Sequence, residues 1–513
     1  MTATGLPEVV DVVVVGGGMG GLSAALCAGA AGKRVLLLER DPELGGKVGT
    51  ATVDGVSFDT GPSVITLPDV IDGVLRRAGL SIGDGPEHDL QLVRPTPAFR
   101  YRFAPGSAAD VADNVVVDVF VDADETIASV GRSLGPEAAR ELTAFLAYAR
   151  AIWDVSKADF VFGAAPTMVD LLRLGMSRPF DMLKVDPLSS MRGAIERRVT
   201  SPALRHLLLR YATYNGSDPL TAPATLNCIA WVELGLGGFG IKGGFSRLRD
   251  VLADGCARVG VDVRCGVAVT GLVHDGDRVT GVRVGDTVVK CAAVVVNADV
   301  AHLREDLLPS ADRVLPRPQT LSMSGATMVL KARRRRGAGG RVAHEVLFAD
   351  DYAAEFDDIF RRRRGPRTPT VYVCAQELAH ERTGWPDHEP LFVMVNLPAL
   401  AEGVVDDGAA ILQTARQRLL QAGMIDVDDA ADSALVWQRS STGLAERFAG
   451  SRGSLYGAAS NDRRSAFSRA PNAVKKRPGL YLASGTAHPG GGVPMCIQSG
   501  VLAAEALLSS SSD

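Results

Sequence analysis

The spacing of hydrophobic residues changes along this chain, and each change marks an element. Residues 12–15 (VVVV) form an unbroken apolar run, which suits a strand buried on both faces of a parallel sheet. Residues 19–31 are small and apolar, with Ala24, Ala25, Ala28 and Ala31 favouring a helix. Residues 35–38 read as a second buried strand that stops at Glu39. From Pro68 the pattern turns helical (DVIDGVLRRAGL), then strand-like over 90–103 and 115–121. Asp122, Asp124 and Glu125 can cap the next helix, and residues 136–157 read as a long one. Residues 125–235 carry few strand signals but many apolar side chains, including Trp153, Phe160, Val161, Phe162, Phe180 and Trp231. They predict a mostly helical lobe.

Lys242-Gly243-Gly244 is a turn feeding an amphipathic helix through Leu248 and Leu252. Residues 261–263, 267–269 and the run ending at 293–296 predict a β-meander with a buried last strand. Between 301 and 440, β-rich runs (SMSGATMVLKA, TVYVCAQE, PLFVMVNLP) alternate with charged turns, as in a second sheet. Near the carboxyl end a short strand, a glycine turn and a helix over 495–508 are expected. No internal repeat stands out.

Gly16, Gly18 and Gly21 fit G-x-G-x-x-G between the first strand and its helix. The first glycine permits a tight turn, the second lets backbone approach a pyrophosphate, and the third lets the helix pack on the strand. The helix start offers free N–H groups and a positive dipole to phosphate. Glu39 stands where a carboxylate can accept ribose hydroxyls. Strand, glycines, helix, strand and acid within one short unit identify a dinucleotide site. Beyond it, Gly45-Gly46-Lys47 adds a second glycine turn with a cation, suited to the far side of a pyrophosphate. Asp59-Thr60-Gly61 forms a further polar turn.

From these residues the chain resembles the FAD-dependent family that holds amine oxidases and phytoene desaturases, in which Glu followed by Gly-Gly-Lys implies FAD rather than NAD. The carboxyl-terminal string GTAHPGGGVP resembles the phytoene desaturase branch, whose H-P-G-x-G-x-P lies beside the isoalloxazine. With YATYNGSDP and APATL it is most similar to the hydroxycarotenoid desaturases. The resemblance implies an α/β fold: an FAD-binding Rossmann-like domain with an inserted α+β substrate domain. The FAD-binding pieces would be 1–95, 239–300 and 441–513, with the helical part of the substrate domain at 96–238 and its sheet at 301–440. The implied cofactor residues are Gly16, Gly18, Met19, Gly20, Gly21, Glu39, Arg40, Gly45, Gly46, Lys47, Gly61, Pro62, Val269, Asn297, Gly485, Gly492, Val493, Pro494 and Met495. The backbone around Val267–Val269 would face the adenine, and Asn297-Ala298-Asp299 would end the last strand where family members close over the cofactor.

At 513 residues the chain is long enough for more than one core. The balance of 55 basic against 59 acidic residues gives −4, so charge does not point to nucleic acid. Seven scattered cysteines without C-x-x-C or metal-ligand spacing favour reduced thiols in a cytoplasmic protein and no metal site. Glu8 and Asp11 precede the valines, unlike a signal peptide. No segment is a membrane span. A mean hydropathy of +0.11 nevertheless leaves room for an apolar ligand or a lipid-facing surface. Residues 167–185, with Arg173, Arg178 and Lys184 among apolar clusters, could lie at the inner face of a membrane as a peripheral contact, or pack on their own domain. The blocks Arg333–Arg336 and Arg361–Arg364 could meet anionic lipid or simply be solvated loops.

The implied substrate is an apolar polyene, an acyclic or hydroxylated carotenoid. Two hydrogens would leave it, one as hydride to the flavin, and few polar catalytic groups are needed. His488 is the imidazole inside the flavin-facing motif and the candidate catalytic residue; it could serve as acid/base or hold its loop by hydrogen bonds. Asp218, Glu233 and Tyr214 are further candidates that could equally cap helices or line loops. Oxidation of an amine or another polyene, isomerisation, and lipid binding without catalysis are the alternative functions.

Overall fold

The valine run lies in the middle of a sheet. In this computed structural model, which describes residues 5–103, 115–167, 170, 176–178, 181, 184–309, 314–317, 320–337, 339–461 and 469–510, Val9–Val15 runs parallel to both Val35–Glu39 and Thr287–Val296. Val13, Val14, Leu36 and Leu37 have no exposed surface, as expected of strands covered on both faces. Asp262–Cys265 adds one edge, while Arg278–Val284 and Gly271–Asp275 add the other. Thr287–Val296 is shared along its length. Its first half pairs with Arg278–Val284, and its last three residues pair in parallel with Leu480–Leu482 from the far end of the chain.

The meander expected over 261–296 is therefore only partly present. Asp262–Cys265 leaves it to pair in parallel with Val35–Glu39. Residues 267–269 form no strand, because the chain there crosses the end of that neighbour: Gly266 N donates to Asp41 O and Val267 N to Glu39 O. The expected helix at 495–508 spans Val493–Ser509, Pro494 occupying the first turn where its missing N–H costs nothing. The long helix is Pro136–Ser156 and continues as a wider turn over Lys157–Val161.

A second seven-stranded sheet runs in the order Leu435–Arg439, Ser324–Arg333, His388–Leu397, Val371–Ala375, His344–Leu347, Phe99–Arg102, Val116–Val119. Between Ala123 and Leu234 the described elements are helical, and they bury Phe145, Leu204, Leu208 and Tyr211 against Phe99, Tyr101 and Phe348 of this sheet.

Within the joint between the domains, Asp59 holds the start of Phe245–Arg258: its Oδ2 accepts from Phe245 N at 2.8 Å and its Oδ1 pairs with Arg382 at 2.7 Å. His380 is fully buried there. Its Nδ1 accepts from Ile241 N, and its ring meets the edge of Phe245. Burial lowers its pKa to about 4, Asp59 and Arg382 acting in opposite directions. The unfolded chain binds this proton below pH 6.5 and the folded one does not, so stability is lost as pH falls from 6.5 towards 4. At pH 5 the loss is about 2 kcal/mol. Glu355, raised to about 7 by burial, acts in the opposite sense, so the comparison must be with a variant. Urea unfolding at pH 7 and pH 5 should show a larger acid loss for wild type than for His380→Gln; equal losses would refute this assignment.

Most of the arginines in these blocks are ion-paired. Arg334 makes a bidentate pair with Glu377, Arg336 spans Glu377 and Glu389, and Arg335 pairs with Asp426. Arg362 and Arg364 share Asp358, and Arg361 reaches Asp218 and Asp357. Acids from other segments pair with the first block, while the second pairs mainly with Asp357 and Asp358 just before it in the chain.

Candidate flavin site

Two helices from opposite ends of the chain meet backbone to backbone. A side chain at Gly20 would come within 2.3 Å of Ala483 O, and one at Gly500 within 2.3 Å of Gly20 O, so only glycines permit the approach. Ser23 Oγ fastens the pair by donating to Ile497 O. Met19–Ala30 starts at Gly18 and Val493–Ser509 at Gly492, and neither N-cap has a side-chain partner. Both starts open on one cleft enclosing about 1950 Å³ of non-atom space, solvent at its mouth included. Two uncapped helix starts in one cleft present unspent N–H groups and positive dipole ends to an anionic or carbonyl-rich ligand.

Of the residues expected to touch the cofactor, all but Gly21, Pro494 and Met495 line this cleft. Gly21 has the packing role expected of the third glycine: a Cβ there would sit 2.0 Å from Gly16 O. Pro494 and Met495 follow Val493 inside the first helical turn and stand off the wall. Glu39 Oε2 accepts from Gly17 N at 2.6 Å and Oε1 from Asp41 N at 2.8 Å, which fixes the carboxylate at the glycine turn. Gly45 N donates to Gly17 O, joining the two glycine turns. Lys47 points across the cleft, and its ammonium donates to Leu455 O at 2.6 Å and Ser454 O at 3.3 Å. Burial pushes it below lysine's ordinary range, while Asp299 favours its charged form. Lys47 therefore ties two walls together while lining the cleft.

The opposite wall comes from the second sheet. Thr327, Phe392, Met394 and Arg439 line it, with Phe448 and Tyr456 from the following loop. None of these was singled out in the sequence. Their alternation marks a strand face but does not reveal which face meets a glycine turn hundreds of residues away.

His488 lies off the cleft wall. Its ring is buried, with Nε2 2.9 Å from Gly163 O in the helical lobe, and its backbone N donates to Ala470 O. Burial lowers its pKa, which keeps the imidazole neutral at pH 7. Asn472 Nδ2 donates to His488 O and Leu482 O. In this geometry His488 is a strut between flavin loop and lobe. Arg469, missed in the sequence, braces the same loop by donating to the carbonyls of Tyr456, Ala458 and Gly485; burial lowers it to about 10. Asp218 closes a turn through Leu220 N and Thr221 Oγ1. Tyr214 and Glu233 belong to a buried network in the lobe, Tyr214 Oη donating to Glu233 Oε2. No group of side chains suited to a metal occurs among the described residues.

The family model for flavin containing amine oxidoreductases matches residues 19–334. A hydroxyneurosporene desaturase of Rubrivivax gelatinosus is 34% identical over 97% of this chain and 93% of its own. A 4,4'-diapolycopene oxygenase of Methylomonas sp is 27% identical over 96% of both chains. Among solved structures, cyclohexylamine oxidase from Brevibacterium oxydans IH-35A superposes with a TM-score of 0.60 at 15% identity, covering 99% of this chain and 100% of that one. That likeness concerns the fold, which is a flavin-binding one.

Proposed function

Since the chain belongs to the flavin containing amine oxidoreductase family, in its carotenoid desaturase branch, we propose that it is an FAD-dependent desaturase that removes two hydrogens from an acyclic or hydroxylated carotenoid. The observation that carries this reading is the cleft itself. Two uncapped helix starts and the Glu39 turn suit FAD on one side, and an apolar sheet face suits a polyene on the other. The glycine cradle fits FAD, because Gly492 carries open space where a Cβ would stand and Gly45 adopts a φ of +109°.

Bound FAD supplies the two-electron oxidant, a hydride being taken from one carbon and a proton lost from its neighbour. The protein's share is to bind, orient and keep water out. Glu39 presents acceptor oxygens for ribose hydroxyls, and the N–H groups after Gly18 and Gly492 face the cleft. Phe392, Met394, Leu444 and Phe448 give the polyene a dry wall.

The test is anaerobic single turnover with candidate carotenoids and mass spectrometry of the product. Flavin bleaching with loss of two hydrogens is expected. An unchanged mass would point to isomerisation, added oxygen to chemistry like that named for the Methylomonas relative, and bleaching by amines alone to an amine oxidase.

A carotenoid must be taken from lipid, and we assign peripheral membrane contact to the helical lobe. Of the seven large hydrophobic side chains exposed among the described residues, Phe162, Met176, Leu188 and Leu236 lie there. Arg178 and Lys184 are exposed nearby, while Arg173 lies outside the described residues. No helix of the described residues is long and apolar enough to cross a membrane. Flotation with anionic liposomes should weaken when Met176 and Leu188 become glutamate; identical flotation at low and high salt removes this contact.

A further inference from the structure

Arg210 is buried in the helical lobe with no carboxylate within ion-pair distance among the described residues. Its guanidinium lies over the rings of Tyr214, Tyr101, Phe99 and Tyr372 at 5.3 to 5.7 Å from their centroids. Nη1 donates to Tyr101 Oη at 3.2 Å and Tyr214 Oη at 3.3 Å. Tyr211 and Tyr214 in turn donate to Glu233. Among the described residues nothing accepts from Nε or Nη2. Neither nitrogen is among the sealed polar atoms left without a partner, so both keep accessible surface where a ligand oxygen could meet them.

The side chains around it are not fully closed over. Tyr214, Tyr372 and Tyr456 sit deep in the protein yet keep accessible surface. Register across the second sheet places these side chains on the same face as the flavin cleft. Arg439, Thr327, Met394, Tyr372, Val346 and Tyr101 are successive cross-strand partners and so share one face. The first three line the cleft, and the fourth lies under the guanidinium. Only one strand spacing, about 5 Å, separates Met394 on the wall from Tyr372 in the cage. Tyr456 is a second link. It lines the cleft, its ring abuts Gly491 in the flavin loop and Gly216 just after Tyr214, and Arg210 is close enough to favour its ionised form.

We propose that the Arg210 cage is a subsite for the oxygen-bearing end of the polyene, the free guanidinium N–H groups donating to a hydroxyl or carbonyl oxygen while the apolar chain runs over Tyr372 and Met394 to the flavin. Glu233, reached through the Tyr214 hydroxyl, already offsets the positive charge, so a neutral oxygen suits the cage better than a carboxylate. Anchoring one end fixes which carbons stop at the reacting position. Tyr214 and Glu233 thereby act as positioning residues for Arg210. This inference rests on the carotenoid reading above and adds a means of choosing among carotenoids.

The experiment compares two acyclic polyenes of equal length, one with a terminal hydroxyl and one a plain hydrocarbon, by anaerobic flavin bleaching. Wild type should favour the hydroxylated one by about 10- to 100-fold in kcat/KM, the size of one hydrogen bond to a charged group. Arg210→Met should collapse that ratio towards one, chiefly through KM, with flavin occupancy retained. Tyr214→Phe should reduce it partway and serves if the first variant does not fold. Bleaching of wild type equally by both polyenes overturns the subsite alone. Variants that slow both substrates in proportion show a structural role and also overturn it. Bleaching by neither overturns the carotenoid reading together with the subsite.

Discussion

Gly18→Val should yield a folded, colourless protein without polyene oxidation. A Cβ at this position would stand 2.6 Å from Asn297 Oδ1, and Asn297 in turn donates to Ala483 O. The added side chain must displace that amide or enter the space at the uncapped helix start. Overpacking costs about 1–3 kcal/mol and a broken buried hydrogen bond about as much again. Together they weaken flavin binding roughly 10²- to 10⁴-fold. The ratio of flavin to protein absorbance reads the result. Gly73→Ala is the control, since a methyl there meets nothing within 4 Å and should leave a yellow protein. Full flavin occupancy in the valine variant would sink the assignment of this cleft.

The second large effect is on stability and lies away from the cleft. Glu389 has no exposed surface. It makes two 3.0 Å hydrogen bonds with Arg336 and stands 3.5 Å from Arg341, itself buried. Asp429 is the other acid near Arg341, also at 3.5 Å. Glu389→Ala leaves one buried guanidinium short of countercharge, and breaking such a pair costs about 3–5 kcal/mol. Denaturant unfolding should show that loss, with the midpoint shifted at an unchanged slope. A change under about 1 kcal/mol would mean that Asp429 and Glu377 compensate. Glu389 lies opposite Ala332 in the sheet whose far rows line the cleft, so partial loss of flavin on storage should accompany the instability.

The two results probe different levels of the chain. The flavin half of the cleft was legible in sequence because its physics is local. A buried strand, a turn that only glycine can make and a helix start occupy thirteen consecutive positions, and Glu39 closes the unit after one more strand. The same holds for the glycine turn and helix around Gly492. Residue type and spacing alone determine where their N–H groups point.

The remaining features were decided by tertiary structure. That both helix starts share one cleft depends on the approach of Gly20 and Gly500, 480 positions apart, and no local pattern encodes that pairing. Lys47 reads as a phosphate-binding cation, and only the fold shows its ammonium also donating to the carbonyls of Ser454 and Leu455. His488 reads as catalytic because of its neighbours in sequence, yet its ring reaches Gly163 in the lobe and stands off the cleft wall. The block Arg333–Arg336 reads as surface charge until Glu377, Glu389 and Asp426 from other segments pair with it. Tyr214 and Glu233 drew notice as polar residues in an apolar lobe, but Arg210 gives them a common purpose only once the strands carrying Tyr101 and Tyr372 close around it. Short-range sterics and helix dipoles are written into consecutive residues; the partners of a buried charge are chosen by whatever the fold brings within a few ångströms.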